Sequence, residues 1–295
     1  MKNFTKICLL LFTLFICVGL IVGCSLLLEL EELSQELSSP AETGDLLKVH
    51  FIDVGQGDSI LIQTPKGQNM LIDAGSNSKG DVVKEYLQEQ GVNRIDVLVG
   101  THPHEDHIGG LDVVIDNFDI GSIYMPKVAH TTKTYEDVLL AVKRKGLKIK
   151  SAAAGMDIPL EGVDARILAP EAGLESDNLN DYSIVIRLVY QNTSFLFQGD
   201  AEKRSEEFIL ESNDSVEADV IKIGHHGSST SSMPNYIKAV NPSIAVITVG
   251  KDNKYGHPHV ETMELLEELG VVVYRTDENG TIVMVSNGEQ VFLAD

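Results

Sequence analysis

The sequence predicts a mixed α/β fold: two mixed β-sheets packed face to face, with helices on their outer faces. Three observations predict it. β-branched runs bounded by Gly, Pro or Asn outnumber helical patterns, and they fall in both halves of the chain. Amphipathic helical patterns are interleaved with them, so neither an all-β sandwich nor a plain strand–helix alternation fits. All three cysteines, Cys8, Cys17 and Cys24, sit at the N-terminus. The remaining body has no thiol to bridge, ligate or attack, and needs a packed core. About 250 residues suffice for one layered core.

Lys2 and Lys6 precede an uncharged apolar run from Ile7 to Val22. That is the layout of a secretory signal peptide, a little short for the roughly 20 apolar residues of a membrane span. "LIVGC" resembles the bacterial lipobox, whose cysteine becomes lipidated and N-terminal. The expectation is a signal peptide over residues 1–23 and attachment through Cys24 to the outer face of a bacterial cell membrane. Ordinary secretion and an uncleaved anchor are the alternatives. Residues 24–45 lack aromatic side chains, carry six acids and contain Ser-Ser-Pro; they read as a tether.

The globular body spans 46–295. In its first half "LLKVHFIDV", "SILIQT", "MLIDAG" and "RIDVLVGTH" read as strands. "DVVKEYLQEQG" and "YEDVLLAVKRKG" carry helical periodicity with a glycine stop. The second half offers strands at "YSIVIRLVY", "SFLFQGD", "DVIKIGHHG", "IAVITVG", "VVVYRTD" and "TIVMVS", and helices at "AEKRSEEFILES" and "VETMELLEELG". Asn279-Gly280 predicts a hairpin between the last two strands. The net charge is −21, or −23 without residues 1–23. Such acidity argues against nucleic-acid or anionic-membrane binding driven by bulk charge, though a local basic groove remains compatible with it. The densest basic run, Lys143, Arg144, Lys145, Lys148 and Lys150, reads as a solvated helix end.

Chemistry-bearing residues recur where strand patterns end. "VLVGT" runs into "HPHEDH", which holds His102, His104 and His107, a third of the chain's nine histidines. In an extended segment His102 and His104 share a face and can reach one metal; after a turn Asp106 and His107 can reach a second. "FLFQG" runs into Asp200, whose two oxygens can bridge, and "VIKIG" runs into His225 and His226. Imidazoles and carboxylates together suit Zn²⁺, Mn²⁺ or Fe²⁺. Strand neighbours point oppositely, which favours His225 as ligand and His226 as a partner facing substrate. Asp73 in "LIDAG" is a candidate acceptor behind a ligand or a turn residue. His257 in "YGHPH" is a candidate substrate-facing donor, and His259 a helix-start residue. His50 and His130 follow no pattern. Gly109 and Gly110 are expected to let backbone pass close to the site.

"HPHEDH" followed by "IGGL", then "QGD" and "GHH", resembles the metallo-β-lactamase superfamily, whose signature is H-x-H-x-D-H. The resemblance implies a metallo-β-lactamase-like αβ/βα sandwich with a dinuclear metal site at one edge. "FIDVGQGDSILIQTPKGQNMLIDAG", "NDYSIVIRL", "VIKIGHHGSSTSS" and "KYGHPH" narrow it to the hydrolase domain of ComEC-type competence DNA-uptake proteins. A related branch contains phosphorylcholine esterases. This implies a phosphodiesterase or nuclease using two divalent metal ions, Zn or Mn, with a phosphodiester substrate such as DNA. The metal ligands would be His102, His104, Asp106, His107, Asp200 and His225, and the catalytic residues Asp106, His226 and His257. Gly224 to Ser232 would offer donors to a phosphate. The alternatives are an ester, phosphorylcholine-ester or β-lactam hydrolase, and a non-catalytic binding lipoprotein. Two departures stand out. No transmembrane helices accompany the domain beyond the signal, and "NDYS", with Asn180, Asp181 and Ser183, stands where the superfamily often has another histidine.

Overall fold

The central strand runs are apolar on both faces, and the reason lies in where their two sets of alternate residues go. Val49, Phe51, Ile60, Ile62, Met70 and Ile72 meet Ile186, Leu188, Phe195 and Phe197 in one central apolar layer. The opposite-phase residues of the first half, Leu61, Leu71 and Leu98, pack under helices, and so do Val185, Leu196 and Ile221 of the second. Strands covered on both faces lose the polar alternation of a half-exposed sheet. In the computed structural model, which describes residues 46–294, this yields two packed mixed sheets with helices outside. The expected signal peptide, Cys24 and tether lie outside the described residues. Among the described residues no helix is long and apolar enough to cross a membrane.

The first sheet takes β1 (Leu47–Phe51), β2 (Ile60–Gln63), β3 (Asn69–Ile72), β4 (Arg94–Val99), β5 (Asp119–Pro126) and β6 (Ile149–Ala152). The second takes β7 (Asp157–Ile158), β8 (Asp164–Ala169), β9 (Val185–Tyr190), β10 (Thr193–Phe197), β11 (Val220–Lys222), β12 (Ile244–Ile247) and β13 (Val272–Arg275). The chain then returns to the first sheet with β14 (Ile282–Ser286) and β15 (Val291–Leu293). The orders are β15-β14-β1-β2-β3-β4-β5-β6 and β13-β12-β11-β10-β9-β8-β7. β3 through β6 run parallel, as do β10 through β13. The helices expected at 81–91 and 135–146 form as α1 (Gly80–Glu89) and α4 (Lys133–Arg144), with α2 (Glu105–Ile108) and α3 (Leu111–Asn117) between them. The second half carries α5 (Lys203–Glu211), α6 (Pro234–Val240), α7 (Val260–Glu268) and α8 (Thr276–Asn279).

Asn279-Gly280 does not turn a hairpin. β13 pairs parallel with β12, whereas β14 pairs antiparallel with β1 in the other sheet. Asn279 closes the short α8, and Gly280, at φ +67° and ψ −148°, follows in a conformation that glycine adopts readily and other residues rarely do. Gly109 and Gly110 give room to neighbouring backbone: a Cβ on Gly109 would lie 2.2 Å from Asn77 N and one on Gly110 2.4 Å from the Ala74 carbonyl, so α3 begins against the 74–77 loop.

At the C-terminal ends of β4 and β11 the two sheets are joined by a buried charge pair. Lys222, the last residue of β11, puts its ammonium on Asp58 of the β1–β2 loop and donates to Gly199 O at 2.8 Å. Asp58 also accepts from Thr248 beyond β12. Both charged groups are fully buried. Gly57, at φ +133°, permits the approach, because a Cβ there would lie 2.2 Å from the Asp106 carbonyl. Removing the cation alone strands a buried carboxylate. Lys222→Met is therefore expected to cost about 3–5 kcal/mol in urea unfolding, and Asp58→Asn added to it to recover part of that loss. A single variant no less stable than the double would contradict this account.

Candidate metal centre

The "HPHEDH" segment leaves β4 and turns at once into α2, which folds its side chains back over the end of the strand. His102 Nε2 lies 2.9 Å from His104 Nδ1, and the His102 and His107 rings are 4.2 Å apart. Asp200 enters from the end of β10, with Oδ1 3.1 Å from His107 Nε2 and Oδ2 3.8 Å from His102 Nε2. His226 enters after β11, with Nε2 3.4 Å from Asp200 Oδ1 and 3.5 Å from Asp106 Oδ2. Two triangles of donor atoms result, His102–His107–Asp200 and Asp106–His107–His226, with His107 common to both.

Three atoms facing this common point, His107 Nε2, His226 Nε2 and Asp200 Oδ1, are buried without a well-aligned hydrogen bond; their near partners are one another and Asp106. Buried polar atoms of this kind cost free energy unless something pairs with them. Nitrogen lone pairs and carboxylate oxygens gathered at 3–4 Å are the donor set of a divalent cation, so the residues present fit a metal. Electrostatics agree. Burial opposes ionisation of Asp200, yet His107 and His226 hold it well below the usual carboxylate range. Burial likewise opposes charge on His107, but Asp200 and Asp73 outweigh it and raise it well above the ordinary imidazole value. Histidines thus supply the positive charge these carboxylates demand, the place a bound cation would take.

Behind the donors stands a second layer. Asp73 accepts from Thr101 N at 2.8 Å and from Thr101 Oγ1 at 2.6 Å, and its Oδ2 lies 2.8 Å from His107 Nδ1. With Nδ1 engaged, His107 presents Nε2 to the site, the usual carboxylate–histidine–metal arrangement. His226 Nδ1 donates to the Thr248 carbonyl at 2.8 Å, which likewise aims its Nε2 inward. Ser183 Oγ accepts from Asp200 N at 3.1 Å and stands 3.4 Å from His102 Nδ1.

His225 and His226 do not alternate. Both have left-handed φ, +47° and +53°, so they lie on a tight turn beyond β11 and both face Asp200. The inner place, among Asp106 and His107, belongs to His226; His225 Nε2 stands 3.8 Å from Asp200 Oδ2 on the more exposed side. Its Nδ1 is 3.0 Å from Glu202 and 3.1 Å from Thr230. Burial pushes the Glu202 carboxyl up, but hydrogen bonds from His225, Thr230, Asn178 and Asn180 outweigh it and hold it at about 2. Nothing in the sequence marks Glu202 beyond its place two residues after Asp200.

Other expected positions separate clearly. Asn180 reaches the site cavity and Glu202, whereas Asp181 turns away to Ser176 and Arg204. His257 lies 5.4 Å from His225, ring to ring, and its Nδ1 is buried without a partner. Burial and then His225 lower it to about 4. His259 caps α7, with Nδ1 accepting from Ser229 N at 3.0 Å. His50 pairs with Tyr86 at 2.8 Å, and His130 with Thr132 at 3.1 Å. Ser231 Oγ is spent on the Gly224 carbonyl, and Glu206 on the Ser232 and Met233 amides, so little of the 224–232 loop is free to donate.

Residues 52–251 match the family model of the metallo-beta-lactamase superfamily. The chain is 31% identical over 252 residues to ComE operon protein 3 of Bacillus subtilis, covering 80% of this chain and 32% of that protein. It is 29% identical to Recombination protein 2 of Haemophilus influenzae, over 90% of this chain and 31% of the relative. Competence protein ComA of Neisseria gonorrhoeae is 30% identical, over 78% and 31%. The chain thus spans about a third of the length of these curated relatives. Among solved structures, the metallo-beta-lactamase fold protein YhfI from Bacillus subtilis superposes with a TM-score of 0.51 at 15% identity, over 82% of this chain and all of that one.

Asp73→Asn keeps the shape behind His107 but weakens its hold on the ring. Metal titration of the folded variant is expected to show affinity roughly 10–100-fold lower than wild type. Unchanged affinity would mean that Asp73 serves only the Thr101 turn.

Proposed function

Given that the chain belongs to the metallo-beta-lactamase superfamily, we propose that it is a metal-dependent hydrolase of phosphodiester bonds, a phosphodiesterase or nuclease. The observation that carries the metal-dependent part of this reading is the convergence of His107 Nε2, His226 Nε2 and Asp200 Oδ1, buried and without well-aligned hydrogen bonds, beside a cavity of about 800 Å³. We assign the metal positions to His102, His104, Asp106, His107, Asp200 and His226, with His225 on the cavity side, and the ions to zinc or manganese. A divalent metal held there supplies Lewis acidity and makes water nucleophilic near neutral pH.

The chain's own residues do the rest. Asp200 and Asp106 hold the acceptor oxygens that orient an attacking water. Asp73, Thr248 and Ser183 fix the imidazoles that surround it, so the geometry needs no reorganisation when substrate arrives. His257 is neutral at pH 7 and lines the cavity beside His225. With a value near 4 it serves better as a hydrogen-bonding group than as the acid that protonates a leaving alcohol. The competence relatives support a phosphodiester substrate, and the signal-like N-terminus supports action outside the cytoplasmic membrane through an anchored Cys24.

His102→Ala combined with His104→Ala is expected to abolish metal-dependent cleavage of bis(p-nitrophenyl) phosphate while circular dichroism stays native. Full retained activity would remove the histidine cluster from the reaction.

A further inference from the structure

The cavity has two walls, and only one belongs to the metal centre. His104, Asp106, Asp200, His225 and His226 line the first. The second is built from three loops that carry none of the expected site residues except His257: Gly55–Gln56 after β1, Ser76–Lys79 before α1, and Asn253–His257 after β12. This wall is tied together. Gln56 Oε1 accepts from Gly250 N at 3.2 Å, and Asn253 Nδ2 donates to Gly250 O at 3.0 Å and His257 O at 2.7 Å.

Two cations stand on it, Lys79 and Lys254. The Lys79 stem lies along Gly55, close enough that a Cβ there would be 3.8 Å from its Cε. The Lys254 ammonium sits 5.0 Å from the Tyr255 ring centroid. That ring stacks on His257 at 5.6 Å and 23°, and His257 leads on to His225. Lys254 is therefore propped at the end of a ladder of rings that descends to the metal wall. Lys84, Lys133 and Lys203 all pair with helix carboxylates, yet neither Lys79 nor Lys254 pairs with a described acid, although Glu105 and Asp106 line the same cavity. In a chain of net charge −21, a polyanion needs local cations to be held at all.

We propose that Lys79 and Lys254 grip a second phosphate of the substrate, adjacent to the phosphate presented to the metal wall, which makes the site selective for oligonucleotides over isolated phosphodiesters. This rests on the phosphodiester reading above. Unpaired ammonium groups beside a metal cluster are a complement to consecutive backbone phosphates, and such contacts position a strand without reading its sequence.

The test is titration calorimetry of the full chain, metal-loaded, with phosphorothioate-linked dithymidylate bearing or lacking a terminal phosphate at its 5′ or 3′ end. Wild type is expected to bind one phosphorylated form roughly fivefold or more tightly than the unphosphorylated one. Lys79→Ala with Lys254→Ala is expected to lose that preference, and the salt dependence of log Kd to flatten by about 0.7 per lost contact. Lys79→Arg with Lys254→Arg should retain it, and so should Lys143→Ala with Lys145→Ala, which removes equal charge outside the cavity. A wild type indifferent to the terminal phosphate overturns the proposal, as does a preference that survives in the double alanine variant or disappears in the remote one. Hydrolysis of ordinary dithymidylate is read separately. Binding preference without cleavage would leave the two-lysine grip standing and remove the phosphodiester-hydrolase reading.

Discussion

The buried pair of Lys222 and Asp58 is the constraint on which the centre depends. One charge belongs to the second sheet and the other to a loop of the first, and both are sealed from water. A buried ion pair of this kind contributes little net stability compared with an apolar pair, but it tolerates almost no displacement. Its partners explain what that rigidity serves. Lys222 holds the Gly199 carbonyl, so Asp200 emerges at a set angle; Asp58 holds Thr248, whose carbonyl sets His226. His107 of the first sheet and Asp200 of the second thereby meet at 3.1 Å, and His226, from the same sheet as Asp200, joins them at 3.4 Å.

The same edge shows why an acidic protein collects histidines. Asp58, Asp73 and Asp200 are all buried around His107, a concentration of carboxylates that desolvation would otherwise forbid. Imidazoles balance them and offer lone pairs to a cation once neutral. Because metal ligands must be deprotonated, binding a cation here is coupled to proton release. On the outer side His225, Glu202, Thr230 and Asn180 form a second network that joins the metal wall to the cavity mouth.

Much of this was legible in the sequence, for reasons that can be stated residue by residue. The "HPHEDH" cluster is local, so its chemistry is visible without the fold. Asp200 and the His225–His226 pair announce themselves because strands of parallel pairs end at one edge and glycine follows. Other features resist such reading. The order of His225 and His226 depends on two left-handed residues, which neither residue type demands. Asn279-Gly280 looks like a hairpin because its neighbours are strands; that they belong to different sheets is a matter of long-range pairing. Asp58, Lys222, Thr248 and Glu202 are ordinary residues in sequence and acquire meaning only across separations as large as the 190 residues between Asp58 and Thr248. Lys79 and Lys254 likewise become a pair only when three loops close one wall.

The central proposal is that donors from both sheets, His107 from the first and Asp200 and His226 from the second, would hold divalent metal at this edge. Its most direct test is elemental analysis of the purified full chain and its Asp200→Ala variant after equilibration with zinc or manganese and gel filtration. The account predicts two equivalents per chain in wild type and one or none in the variant. Metal at background in wild type, or the same content in both proteins, would contradict it.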